Sequence, residues 1–180
     1  MNVKLSAGMA TVAMMMCVTG AYPCKTALPI SNVDMVREAD VIVRVEAEKY
    51  VLAPKNPDTW TGIEPDSKIS FKVLEVVRGK MQADYLILPG ILVQTDDFND
   101  QPPPYSSVRS EGRRGNCFAS SYRSGGQFLL ILKKKSDGTL SVNWYALAPV
   151  NEQLHSANDP WLLWVRKQAS KSNSKPSDHN

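Results

Sequence analysis

A mainly β domain, a small antiparallel barrel with a short N-terminal and a longer C-terminal helix, is the fold this chain's patterning predicts. Three observations carry that expectation. Apolar residues recur with a period of two in several short runs; an Asp137-Gly138 pair stands between two such runs as a hairpin signal; and no helical pattern lies between consecutive strands. The last point excludes a parallel sheet built from strand–helix–strand units and favours an antiparallel one. At 180 residues the chain is of a size that forms one core. With 43% hydrophobic and 22% charged residues it has an ordinary globular composition, and a formal charge of +3 is too small to point to nucleic acid.

Residues 1–21 read as a signal peptide. Lys4 supplies the positive end, Leu5 to Val18 carries no charge, and Thr19-Gly20-Ala21 offers small residues for cleavage after Ala21. The run is shorter than the roughly 20 apolar residues of a membrane span. No second run of that length follows, so the mature chain is expected to be exported, periplasmic or secreted, without a transmembrane helix. Lipid attachment at Cys24 is the competing reading, disfavoured by Pro23 directly before it. Cys17 leaves with the signal. Cys24 and Cys117 then remain as an even pair in an oxidising compartment, which predicts a disulfide contributing about 4 kcal/mol in the chain-entropy model. Two free thiols are the alternative.

In the mature chain, Ser31 with Asp34 has capping-box spacing, and Val33, Met35 and Val36 supply apolar positions for a helix over residues 32–39. Val41, Val43, Val45 and Ala47 alternate with Ile42, Arg44, Glu46 and Glu48, a first strand with one core face. Pro54, Pro57, Gly62 and Pro65 make the next stretch a loop, in which Trp60 is either a binding handle or a lid on the barrel. Ile69, Phe71, Val73 and Val77 mark a second strand and Tyr85 to Leu88 a third, with Pro89-Gly90 as its end or a bulge before Ile91 to Val93. The loop from Thr95 to Tyr105 holds Asp96, Asp97 and Asp100 without calcium-loop spacing and reads as solvated. Arg109, Glu111, Arg113 and Arg114 beside it read as surface ion pairs.

Gly125-Gly126 opens a nearly continuous apolar strand from Gln127 to Lys133, as expected where both faces are covered, and Leu140 to Ala146 returns as its hairpin partner. Pro149 is expected to end the sheet. Asp159-Pro160 starts a second helix with Trp161, Leu162, Leu163, Trp164, Val165 and Gln168 on its inner side, and residues 170–180 are polar and expected to be disordered. Residues 22–169 would then be a single domain.

The segments V-I-V-R-V at Val41, I-S-F-K-V-L-E-V-V-R-G-K at Ile69 and C-F-A-S-S-Y-R-S-G-G-Q-F-L-L-I-L at Cys117, after a cysteine near the mature N-terminus, resemble the netrin-like module and the tissue inhibitors of metalloproteinases. The resemblance covers roughly Cys24 to Leu132 and implies an oligonucleotide/oligosaccharide-binding (OB) type of barrel. The Y-R-x-G-G and D-P-W-L-x-W-V stretches are also similar to exported bacterial proteins of unknown function. In the inhibitors a first-position cysteine chelates the target's zinc. Here Tyr22 and Pro23 precede Cys24 and the paired Cys-x-Cys is missing, a departure at the positions that carry that activity in the inhibitors.

Two functional classes follow. The first is a non-catalytic binding or interaction module for a protein or a cell-envelope polymer, using Trp60, Tyr105, Arg109, Arg113, Arg114 and Arg123 in predicted loops and turns. The second is a hydrolase with Cys117 as nucleophile, His155 as base and Asn151 or Glu152 orienting the ring. No nucleophile motif surrounds Cys117, and the disulfide is its better use, so the chain reads as a binder rather than an enzyme. Two cysteines and one well-placed histidine lack zinc spacing, and no phosphate cradle follows a strand; no metal or cofactor is expected.

Overall fold

Ser31 sets the first turn of the domain. In the computed structural model, which describes Cys24 and residues 30–55, 65–113 and 115–173, its hydroxyl accepts the Asp34 N–H (3.1 Å) and donates to the Asp34 carboxylate (2.6 Å). That reciprocal cap starts α1 (Asn32–Glu38). Met35 and Val36 are buried, while Val33 lies on the flank of the buried arc and is half exposed. The expected signal peptide, Trp60, Arg114 and residues 174–180 lie outside the described residues.

β1 (Val41–Leu52) is the central strand. Its valines at 41, 43 and 45 and Ala47 are buried as their alternation requires, and Ile42 on the opposite face is buried as well. β1 pairs antiparallel with β2 (Lys68–Arg78) on one side and with β6 (Gln127–Lys134) on the other. Phe128 to Leu132 are all fully buried, so both faces of the sheet centre are covered. Gly79 ends β2 with φ 81°; a Cβ there would stand 2.2 Å from the Asp40 carbonyl oxygen. Just before it, Arg78 donates from Nε to the Ala39 carbonyl (3.1 Å) and from Nη2 to the Arg37 carbonyl (3.0 Å), satisfying the open end of α1.

β3 (Tyr85–Pro89) pairs with β2 and forms one edge of the sheet. β7 (Leu140–Val142) pairs with β6 at the other edge, so the order is β3-β2-β1-β6-β7. The β1–β2 ladder shifts register four times. Such bulges add twist, and residues of both edge strands, Tyr85 and Ile87 of β3 and Leu140 of β7, line one groove. They do not pair: among the described residues the strands form an antiparallel sheet flanked by two helices, not a closed ring.

Three parts of the fold depart from the sequence expectation. The sheet does not end at Pro149, because β8 (Asn151–Leu154) returns to pair antiparallel with the start of β6. In addition, β4 (Ile91–Val93) pairs in parallel with β5 (Ser121–Arg123), a strand with no alternating signal. β7 itself stops at Val142 rather than Ala146.

α2 (Pro160–Asn173) begins where Asp159 Oδ1 accepts the Trp161 N–H (2.8 Å) and continues past Ser170 to Asn173. Trp161, Leu162, Val165 and Ala169 are buried, but Leu163 faces outward. No helix among the described residues is long and apolar enough to cross a membrane. Cys24 and Cys117 form a disulfide with 5.6 Å between their Cα atoms, joining positions 93 residues apart. A loop of that size gives about 4 kcal/mol of stabilisation in the chain-entropy model.

Candidate functional site

Arg109 lies inside the protein, with its side chain 1% exposed. A buried guanidinium requires a partner for each of its faces and donors. Nη1 donates to Asp97 Oδ2 (3.0 Å), Nε donates to the Asn151 carbonyl (3.0 Å), and the planar group lies over the rings of Tyr122 (5.5 Å) and Phe128 (5.2 Å). Asp97 is held in turn by backbone donors at the 3-10 turn Glu111–Arg113: the Glu111 N–H reaches Oδ1 at 2.9 Å and the Gly112 N–H reaches Oδ2. Gly112 is required by this closeness, since a Cβ there would meet Arg109 Nη1 at 2.2 Å.

β8 fixes the loop from beneath with three consecutive polar side chains. Asn151 Nδ2 donates to the Ala119 carbonyl and to the Tyr122 hydroxyl (3.1 Å). Glu152 accepts the Arg109 N–H at Oε1 (3.2 Å) and Asn99 Nδ2 at Oε2 (3.0 Å). Gln153 accepts the Asp97 N–H (2.8 Å) and donates to Asp96 Oδ1 (2.6 Å), which also faces Arg123 Nε at 3.4 Å. Burial pushes the Glu152 carboxyl up to about 7, against the opposing pull of the Arg109 charge. Burial likewise raises the Tyr122 hydroxyl.

Above this network is a cavity of about 290 Å³, near the lower bound of ligand pockets, which run from roughly 300 Å³ upward. Val93, Ser121 and Arg123 of the β4–β5 pair form one wall; Thr95, Asp97, Arg109, Glu111 and Gly112 complete it. Two polar atoms of these residues, Arg109 Nη2 and Ser121 Oγ, are buried without a hydrogen-bond partner among the described residues. The lining carries two carboxylates and two guanidinium groups, together with two hydroxyls. It offers donors and acceptors in balance rather than a field of one sign.

The structure therefore brings Arg109 and Arg123 together at the cavity, but not Tyr105 or Arg113, which were expected on the same surface. Tyr105 is buried and stacks on Trp161 with ring centroids 4.9 Å apart, and burial lifts its hydroxyl to about 12. Arg113 is partly exposed and does not line the cavity. Arg109 and Asp97, read from sequence as a surface pair and a solvated loop, form a buried ion pair. Cys117 has its sulfur in the disulfide, which leaves no thiolate while that bond stands, and His155 is exposed, stacked on Phe98 at 3.9 Å.

Sequence reasoning missed Gln153, Ser121 and Thr95 as site residues, read Asp97 as part of a solvated loop, and gave Asn151 or Glu152 a place only beside His155 in the hydrolase reading. The available signal was Asn151-Glu152-Gln153 set between Val150 and Leu154, a polar triplet flanked by apolar residues. No known family model matches this chain, and no curated protein matches it.

Proposed function

We propose that this protein is an exported, non-catalytic binding module of the bacterial cell envelope or secreted fraction. In this reading a netrin-like, OB-type barrel carries its ligand site in the cavity above Arg109. The observation that carries it is a pair of buried polar atoms, Arg109 Nη2 and Ser121 Oγ, that have no hydrogen-bond partner among the described residues and sit on residues lining one small cavity. Buried polar groups are nearly always satisfied, and unsatisfied ones gathered in a cavity are what a polar ligand would complete. Because the lining charges cancel, the ligand class favoured is a neutral, hydroxyl-rich unit such as one sugar of an envelope polymer, in preference to a polyanion. The Cys24–Cys117 disulfide supports an oxidising destination.

Two experiments test this. Amide NMR spectra of the mature chain titrated with N-acetylglucosamine should show shifts at Thr95, Glu111, Ser121 and Arg123, lost in Arg123→Ala. Shifts with inorganic phosphate alone would replace the sugar with an anion, and no shift with either would overturn the cavity as a ligand site. Intact mass of protein from the exported fraction should begin at Tyr22 and gain two alkyl groups only after reduction; a lipidated mass beginning at Cys24 would replace free export with an anchor.

A further inference from the structure

The sheet's open seam is a second candidate site, independent of the polar cavity. Antiparallel ladders alternate between pairs that exchange hydrogen bonds and pairs that do not. Val73 N–H donates to the Asp84 carbonyl (2.8 Å) and Gly90 N–H to the Ser67 carbonyl (3.2 Å), which in the β2–β3 register makes Phe71/Leu86 and Ile69/Leu88 the bonded pairs. Tyr85, Ile87 and Pro89 consequently turn their backbone groups away from β2. From Ile91 onward that outer edge is taken by β5, while Pro89 has no N–H to offer. Tyr85 and Ile87 are left as an open edge, and both side chains are more than half exposed.

The opposite edge presents a matching position. Asn143 N–H donates to the Ile131 carbonyl (2.9 Å) and Lys135 N–H to the Thr139 carbonyl (2.8 Å), so Leu140 also points its backbone groups outward. Between the two edges lies a groove of about 760 Å³, lined by Met81, Tyr85, Ile87 and Leu140 with Lys80 and Lys134. Successive antiparallel pairings through β2, β1 and β6 make β3 and β7 run in the same direction. A strand antiparallel to one is then antiparallel to both.

The charge of the groove selects its occupant. Among the described residues Asp40 is its one carboxylate, and it accepts the Lys134 N–H (2.8 Å) and faces Lys133 Nζ (3.8 Å). Lys80 and Lys134 are in no ion pair among the described residues. Asp84, exposed beside Tyr85, and Lys135, exposed beside Lys134, offset each other. We propose that this seam docks an extended acidic peptide segment of a partner protein, which adds as a strand against β3 with its apolar side chains over Met81 and Leu140 and its carboxylates toward Lys80 and Lys134. Main-chain bonds would supply affinity and the two lysines would supply selectivity.

The test uses a fluorescein-labelled, acetylated peptide Ser-Glu-Val-Glu-Val-Glu-Ser, read by anisotropy with the mature disulfide-bonded protein. Binding should weaken about tenfold when lysine replaces glutamate in the peptide, and by a similar factor for Lys80→Glu/Lys134→Glu. Ile87→Pro removes an N–H that β2 does not use, so it should leave the urea midpoint near wild type while weakening binding about tenfold. N-methylation of the peptide's alternate amides gives the same readout on unaltered protein. No binding, or equal binding of the basic, N-methylated or Ile87→Pro forms, overturns the proposal. A concentration-dependent dimer in sedimentation that Ile87→Pro dissolves would also overturn it, making a second copy the occupant.

Discussion

The sheet centre and the β8 layer bury side chains of opposite character, only a few residues apart along β6. Around Val43, Val45, Phe71 and Leu130 the interior is apolar, and each side chain is held by many weak, interchangeable contacts. Around Arg109 the interior is ionic, and each group depends on named partners: Asp97 on two backbone N–H groups, Arg109 on Asp97 and the Asn151 carbonyl, Glu152 on Asn99. The first arrangement tolerates change by degrees and the second fails by whole interactions.

The largest expected effect is at Asp97. Asp97→Ala leaves a buried guanidinium uncompensated and should cost about 3–5 kcal/mol in urea unfolding. Asp97→Leu with Arg109→Met should recover much of that loss, because an apolar pair returns the layer to the character of the sheet centre. If the double variant is no more stable than the single one, the ionic layer is not a replaceable unit and the two interiors do not differ in this way.

The next effect is a pH dependence. The Glu152 carboxyl is raised in the folded protein from 4.5 to about 7, so the folded state binds the proton more tightly than the unfolded chain does. Its contribution is fully present below about pH 4.5 and is lost as pH rises to about 7, an amplitude of about 3 kcal/mol. Glu152→Gln should flatten the stability difference between pH 4.5 and 7.5; an unchanged profile would assign the dependence elsewhere.

A smaller loss, about 1–3 kcal/mol, is expected for Gly112→Ala, since the added methyl meets Arg109 and Asp97, neither of which is free to move. The corresponding crowding test at the exposed Gly115, where an added Cβ meets nothing within 4 Å, should show only the strain of its φ of 75°. The smallest effect is at Arg123, whose pairing with Asp96 is partly exposed; Arg123→Ala should change stability by less than about 0.5 kcal/mol. A large loss there would make Arg123 part of the buried layer rather than of the cavity's mouth.

Sequence alone determined the parts of this protein that depend on local periodicity or local chemistry. The Ser31 cap, the alternating valines of β1, the β6–β7 hairpin around Asp137-Gly138 and the Asp159 start of α2 are each written within a few consecutive residues, and each formed, the hairpin with a return strand that stops at Val142. The cysteine pair was legible from parity and from the expectation of an oxidising compartment. Tertiary structure alone decided β5, β8 and the site. Asn151-Glu152-Gln153 becomes a buried strand because Arg109, Asp97 and Asn99, 43 to 56 residues earlier, satisfy its polar groups. Hydrophobic periodicity cannot report a residue that is inside because of its partner, and Arg109 and Asp97 therefore read as surface charges until the fold brought them together.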